Sequence, residues 1–374
     1  MSLLSAAERL TEPLDWCRRG WFSWLVRNDF LRATLAHRDR RIATIACLSV
    51  VGAALGAVYF PVLLFTLGPV VLGVAHVAAD VRYLVLRRNL ARWWQCSVWL
   101  GCSALIALRI AEELGWLRHA DRIEFAAAAA FASVGLLAAL RERASLARAA
   151  FAFVLLAAAT SCALSQPRLS RYVFVHAHNL IALLAWATLF RIDKRWLLAP
   201  AVLIAGGVGL LASGALVGQT LASPFASSFH LHVLTVSDWL APFADPRVAI
   251  AVTTTYLFLQ SVHYSAWLSW IPQEEQPRRG TPTFRMSVRA LFADLGTGGV
   301  AAVSLATLAV WMGAYLDLHR AQGLYLSLAS FHGYLELALL IFFWVRGDNA
   351  AHGSRPALCV QADEPSPALH TQTG

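Results

Sequence analysis

The chain has 374 residues, 58% of them hydrophobic and only 14% charged, with a mean hydropathy of +0.57. Soluble domains carry roughly 25% charged residues, so a water-soluble globular enzyme is excluded and a polytopic, all-α membrane protein is expected. The formal net charge of +9 comes from arginine blocks between apolar runs, where topology determinants sit, so no nucleic-acid partner is expected.

Residues 1–41 are basic and contain Trp16, Trp21, Phe22 and Trp24. They lack the short apolar core and small-residue cleavage site of a signal peptide, and their composition suits a helix lying on the cytoplasmic membrane surface. The transmembrane region spans 42–346. Its apolar runs predict about ten spans, near 42–59, 62–85, 94–114, 123–140, 148–165, 172–190, 198–217, 248–270, 294–316 and 324–346. Pro61 marks a tight turn between the first two. Every second connection is rich in Arg or Lys, beginning with Arg38, Arg40 and Arg41 and ending with Arg346 and Arg355. That alternation predicts both termini in the cytoplasm. The polar tail, 347–374, is expected to be disordered.

Several features along the way carry no chemistry. Cys17, Cys47, Cys96, Cys102, Cys162 and Cys359 show no CxxC spacing, so neither a disulfide framework nor a thiolate metal site is expected. Arg109 with Glu112 or Glu113 reads as a local ion pair at a span end. The small residues of "LIAGGVGLLASGALVG" and "LGTGGVAA" predict close helix packing. Trp93, Trp94, Trp99, Trp267 and Trp270 fit an interfacial belt. The long connection 219–247 is the exception: it reads as a re-entrant or capping segment, and a loop of that length is more often functional than accidental.

The informative residues are ionisable groups inside spans, which are costly in hydrocarbon and tend to be functional. "VAHVAADVRY" holds His76 and Asp80, "FVHAHNLIALLAW" holds His176 and His178, "QSVHYSAWLSWIP" holds His263, and "FHGYLELALL" holds His332 and Glu336. At about 1.5 Å rise per residue, one histidine from each span falls within a slab on the order of 10–15 Å thick. Imidazoles from facing helices, with carboxylates beside them, are how bundles build metal centres. His76 and His332 are each followed by an acid four residues on, one helical turn away. That acid is expected either to ligate the metal or to orient a neighbouring imidazole. Asn179, Gln260 and Tyr264 flank the candidate ligands. His37, His119, His319, His352 and His370 fall in loops or tails and read as solvated. His230 and His232 are candidates to cap the site from outside.

Histidines on four spans, with an acid after the first and last, resemble the Brp/Blh family of integral-membrane bacterial β-carotene 15,15'-dioxygenases. The early motif of that family, Pro-His-Gly-x-x-Asp, corresponds to "AHVAAD" with His76 and Asp80. Its Ile-His-Ser motif corresponds to "VHYS" with His263, and its last His-then-acid motif to His332 and Glu336. The second motif falls at His178 or His176. Ala75 and Val77 stand where the early motif has proline and glycine, and Trp267 where the third repeats a histidine. The resemblance implies a non-haem iron centre ligated by one histidine per helix. It further implies a reaction of O2 with an apolar lipid or isoprenoid such as a carotenoid, and a home in the bacterial cytoplasmic (inner) membrane. Two other readings use the same residues. In one, two of the histidines bind a b-type haem that exchanges electrons with quinone. In the other, histidines and acids form the proton relay of a transporter.

Overall fold

The computed structural model describes residues 3–117, 120–142, 144–190, 193–242, 244–274 and 283–347. His119, His352, His370, Cys359 and nearly all of the expected tail lie outside them. The chain is an all-α bundle: α1 (Leu3–Leu25), α2 (Asp29–Ala36), α3 (Arg38–Tyr59), α4 (Pro61–Asp80), α5 (Arg92–Glu113), α6 (Ala120–Arg141), α7 (Leu146–Ser165), α8 (Pro167–Ala185), α9 (Leu198–Ala212), α10 (Val217–Ala222), α11 (Val233–Leu240), α12 (Pro246–Ser265), α13 (Ile271–Glu274), α14 (Phe284–Leu316), α15 (Leu318–Ala329) and α16 (Phe331–Arg346).

Nine helical segments among the described residues are long and apolar enough to cross a membrane, the last being α15 and α16 taken together. The remaining expected span, 248–270, corresponds to α12. It has 20 residues, but Thr253, Thr254, Gln260 and His263 make it too polar to stand alone in lipid. It does not have to, because α3, α4, α8, α9 and α11 pack around it, and a helix shielded by protein tolerates polar groups that lipid would not.

Local chemistry explains the breaks. Phe60 precedes a proline and is therefore driven out of the helical region; it ends α3 at φ −130°, and Pro61 opens α4. Pro69 sits inside α4. Lacking an N–H, it leaves the Phe65 carbonyl without its usual donor, and Gln322 of α15 donates its Nε2 there at 2.8 Å. In α14, Gly296 adopts φ 68° and ψ 170°, interrupting the helix, a conformation open to glycine alone at little cost.

Three histidine-bearing helices run into π-helical turns at the same end of the bundle: α4 into Val81–Leu86, α8 into Trp186–Phe190, and α12 into Ala266–Trp270. Trp186 and Trp270 meet there with ring centroids 4.8 Å apart, and Arg88 lies over Phe190 at 4.7 Å. Such turns re-aim the side chains around them and are frequent at functional sites.

α1 runs along α14. Asp15 accepts hydrogen bonds from the Phe284 and Arg285 backbone N–H groups at 2.7 and 3.2 Å, capping α14. Glu12 pairs with Arg285 at 3.6 Å, and Glu8 pairs with Arg289. The Arg289 guanidinium holds the Glu8 carboxyl below the usual glutamate range. Trp16, Trp21 and Trp24 are exposed, as an interfacial helix requires;.

Three expectations are corrected. Trp94, Trp267 and Trp270 are 0% exposed and belong to the core, leaving only Trp93 and Trp99 to face outward. The small-residue stripes do not make close helix–helix seams throughout. Gly207 meets Phe258, but nothing approaches Gly206, Gly209, Gly296 or Gly298. The Arg109 pair is larger than a local contact. Arg109 binds Glu112 and the buried Glu124, while its Nε donates to Ser330 Oγ at 3.2 Å. Arg171 joins through Asp121 and, at 3.6 Å, Glu112 and Glu124. This network grips the junction between α15 and α16, two residues before His332. The described cysteines are all free.

Candidate metal centre

Three helices bring an imidazole to a common point, His76 from α4, His263 from α12 and His332 from α16, and a fourth, α8, places the His178 ring beside them. Nitrogens of His76, His263 and His332 lie within 4.8 Å of one another, and all three residues are buried. His76 Nε2 stands 3.3 Å from His332 Nε2. The His178 ring joins them edge-on, its centroid 5.4 Å from that of His263 and 5.5 Å from that of His332.

The backbone sets the tautomers. A carbonyl only accepts, so a ring nitrogen facing one carries the proton. His178 Nδ1 donates to the Val175 carbonyl at 2.8 Å, and His332 Nδ1 donates to the Ala329 carbonyl, each three residues back. Both rings therefore present a bare Nε2 lone pair, the form that binds a metal. The lone pair of His332 faces His76 Nε2, so the two nitrogens share either a proton or a cation. Two nitrogens each about 2.1 Å from one ion, at tetrahedral to right angles, sit about 3.0–3.4 Å apart. The observed 3.3 Å fits that range. His263 completes the set, and neither of its ring nitrogens hydrogen-bonds to any described residue.

Two carboxylates border the imidazoles. Trp267 donates its indole N–H to Glu336 Oε1 at 2.7 Å, and the same oxygen lies 3.7 Å from His263 Nε2. Glu336 Oε2 and both oxygens of Asp80 are buried without a hydrogen-bond partner among the described residues. Asp80 and Glu336 are 0% and 1% exposed. Buried carboxylate oxygens without a partner are expensive, and a divalent cation among the imidazoles would offset their charge. The orphaned oxygens, bare imidazole nitrogens and matched spacing fit a metal ion.

The remaining sequence candidates separate cleanly. His176 turns away from the centre: its Nε2 donates to the Leu240 carbonyl at 3.1 Å and its ring packs on Tyr256, tying α8 to α11. His230 occupies a two-residue hairpin between Ser227–Ser228 and Leu231–His232, with Phe229 and His230 both at positive φ, as a primed turn demands. His232 caps α11 by accepting from the Leu234 N–H at 3.1 Å. His319 holds the hairpin by donating to the Phe229 carbonyl at 2.9 Å, and His37 caps α3. None of these reaches the cluster. Asn179 is fully buried, with both side-chain polar atoms unpartnered among the described residues.

Sequence reasoning missed Trp267 as a site residue. The available signal was its place four residues after His263, one turn along the same face. It also missed the support of His178. Phe174 packs near that ring at 6.2 Å and stacks on Tyr334 of α16 at 4.4 Å with an interplanar angle of 10°.

The fold and this cluster define a class: a polytopic all-α membrane bundle whose interior holds a multi-histidine site that could bind a metal ion. No protein-family model, curated protein or solved structure matches the chain.

Proposed function

We propose that this protein is a membrane-embedded, metal-dependent oxygenase or oxidase. Its cofactor would be non-haem iron and its substrates O2 and an apolar lipid or isoprenoid, with carotenoids the first class to try. The observation that carries the proposal is the convergence of three buried imidazoles, His76, His263 and His332, with the His178 ring beside them, in a water-poor interior where Asp80 and Glu336 hold buried oxygens without a described partner. The motif-level resemblance to the Brp/Blh dioxygenases points the same way. Imidazole also suits copper, nickel and zinc; oxygen chemistry calls for a redox metal, which disfavours zinc, and the Brp/Blh resemblance is what favours iron over copper.

In this scheme His76, His178, His263 and His332 hold the ion. The Val175 and Ala329 carbonyls keep His178 and His332 in the binding tautomer. Trp267 fixes Glu336 against His263. Asp80, one turn after His76, balances charge and is available as a further ligand. Iron bound here would supply O2 binding and one-electron chemistry. The lipid-facing helices admit an apolar substrate without bringing water to the site. The ring packing favours a single ion over a porphyrin, because centroids only 4.8–6.0 Å apart leave a macrocycle little room.

The test is metal content and the absorption spectrum of one purified sample. The expected result is near-stoichiometric iron without a Soret band. His332→Ala and His263→Ala should lose most of the metal, while His176→Ala keeps it. A Soret band would replace this reading with the haem one. Protein free of metal, never having met a chelator, would overturn it and leave the proton-relay reading.

A further inference from the structure

Beside the imidazoles, between α4, α12 and α15, lies a second set of polar groups that the metal scheme does not use. Tyr325 of α15 is buried, and its hydroxyl has no hydrogen-bond partner among the described residues. Its ring lies directly against the backbone of Gly73, so closely that a β-carbon there would overlap it. Gly73 and His76 are three residues apart on α4 and share a face, which sets the Tyr325 hydroxyl about one helical turn from the His76 ligand.

Tyr264 also packs on His76, its ring centroid 4.6 Å from the imidazole's. Gln260 donates its Nε2 to the Tyr264 hydroxyl oxygen at 3.1 Å. With its oxygen accepting, the Tyr264 hydroxyl keeps its own hydrogen free to donate. Two phenols thus lie beside His76, and the Tyr325 hydroxyl has no partner among the described residues. A buried donor without an acceptor is costly, more so where lipid replaces water. The glycine that admits Tyr325 keeps the hydroxyl there rather than further along the helix.

We infer that Tyr325 and Tyr264 form a substrate subsite that hydrogen-bonds an oxygen atom carried by an otherwise apolar molecule, orienting it against the His76 side of the metal cluster. The substrate class is therefore an oxygen-bearing isoprenoid or lipid (alcohol, ether or carbonyl) rather than a bare hydrocarbon. This rests on the oxygenase reading for its meaning, but not for its measurement.

The experiment is competition binding in nanodiscs with the purified, full-length protein. The probe is a tritiated C20 isoprenoid alcohol. The competitors are its methyl ether, which accepts but cannot donate, and the parent hydrocarbon. Metal content is measured on the same samples. In the wild type, alcohol and ether should compete alike, with the hydrocarbon weaker by roughly 3- to 10-fold. Tyr325→Phe should erase that preference while leaving metal content unchanged, and Tyr264→Phe provides the same test should the first variant fold poorly. Equal competition by the hydrocarbon, no binding of any probe, or a preference that survives both substitutions would overturn the inference. Metal without the preference sinks the subsite alone. The preference without metal sinks the oxygenase reading alone.

Discussion

Replacing Trp267 with phenylalanine removes one donor from the candidate metal centre and little else. The indole N–H donates to Glu336 Oε1 at 2.7 Å, and both residues are buried. Glu336 Oε2 already lacks a partner, so the variant would leave the carboxylate with no described hydrogen bond. A hydrogen bond to a charged group contributes about 1.5–3 kcal/mol, or roughly one to two decades in an equilibrium constant. Only the part that differs between metal-loaded and metal-free protein appears as affinity, so that figure is a ceiling. Groups that orient metal ligands typically cost about 10- to 100-fold when removed. The expected loss for Trp267→Phe is therefore about tenfold, and not above about a hundredfold. Trp270→Phe supplies the control for lost volume: Trp270 is equally buried, but its indole nitrogen has no hydrogen-bond partner among the described residues. The assay is residual metal after dialysis against graded chelator, with both variants beside the wild type. Trp267→Phe should release metal at the lower chelator strength and Trp270→Phe should follow the wild type. Equal retention in the two variants would refute the idea that the indole positions Glu336 for the ion.

Two further predictions concern the frame around the site. Gln322→Leu strips the Phe65 carbonyl of its donor and should destabilise the protein by about 1–3 kcal/mol, read as a lower melting temperature in detergent. Adding Pro69→Ala should restore part of the loss, because alanine returns the missing N–H; no rescue would show that Gln322 acts otherwise. The Glu8–Arg289 pair lowers the Glu8 pKa, so its contribution is fully present above the ordinary glutamate value of about 4.3 and is lost as pH falls through the lowered one. Hydrogen exchange in residues 3–25 should speed up as the pH drops through that window, after correction for intrinsic rates. Glu8→Gln should show the faster exchange already at neutral pH. Identical exchange in variant and wild type would mean that the pair does not hold α1 to α14.

The fold class was legible because hydrocarbon permits few solutions. Long apolar runs must become helices, and arginine blocks mark their ends, so the spans could be read from composition alone. The same economy exposed His76, His176, His178, His263 and His332, since an ionisable group inside such a run rarely lacks a role. It also flagged Asp80 and Glu336 by their one-turn spacing from histidines. What composition could not decide was which face of each helix looks inward. His176 and His178 are two residues apart and point to different neighbours. Only the placement of α11 beside α8 gave His176 a carbonyl and left His178 for the cluster. The buried tryptophans were misread for a related reason: an indole suits a lipid interface and a core alike, and only the approach of the π-helical turn after α12 to α16 put Trp267 on Glu336. The glycine stripes show the limit most plainly. Small residues permit close approach but do not compel it, and whether a helix lies opposite depends on contacts between segments far apart in the chain. Periodicity within a helix is a local property; which imidazoles meet is decided by the order in which the helices pack.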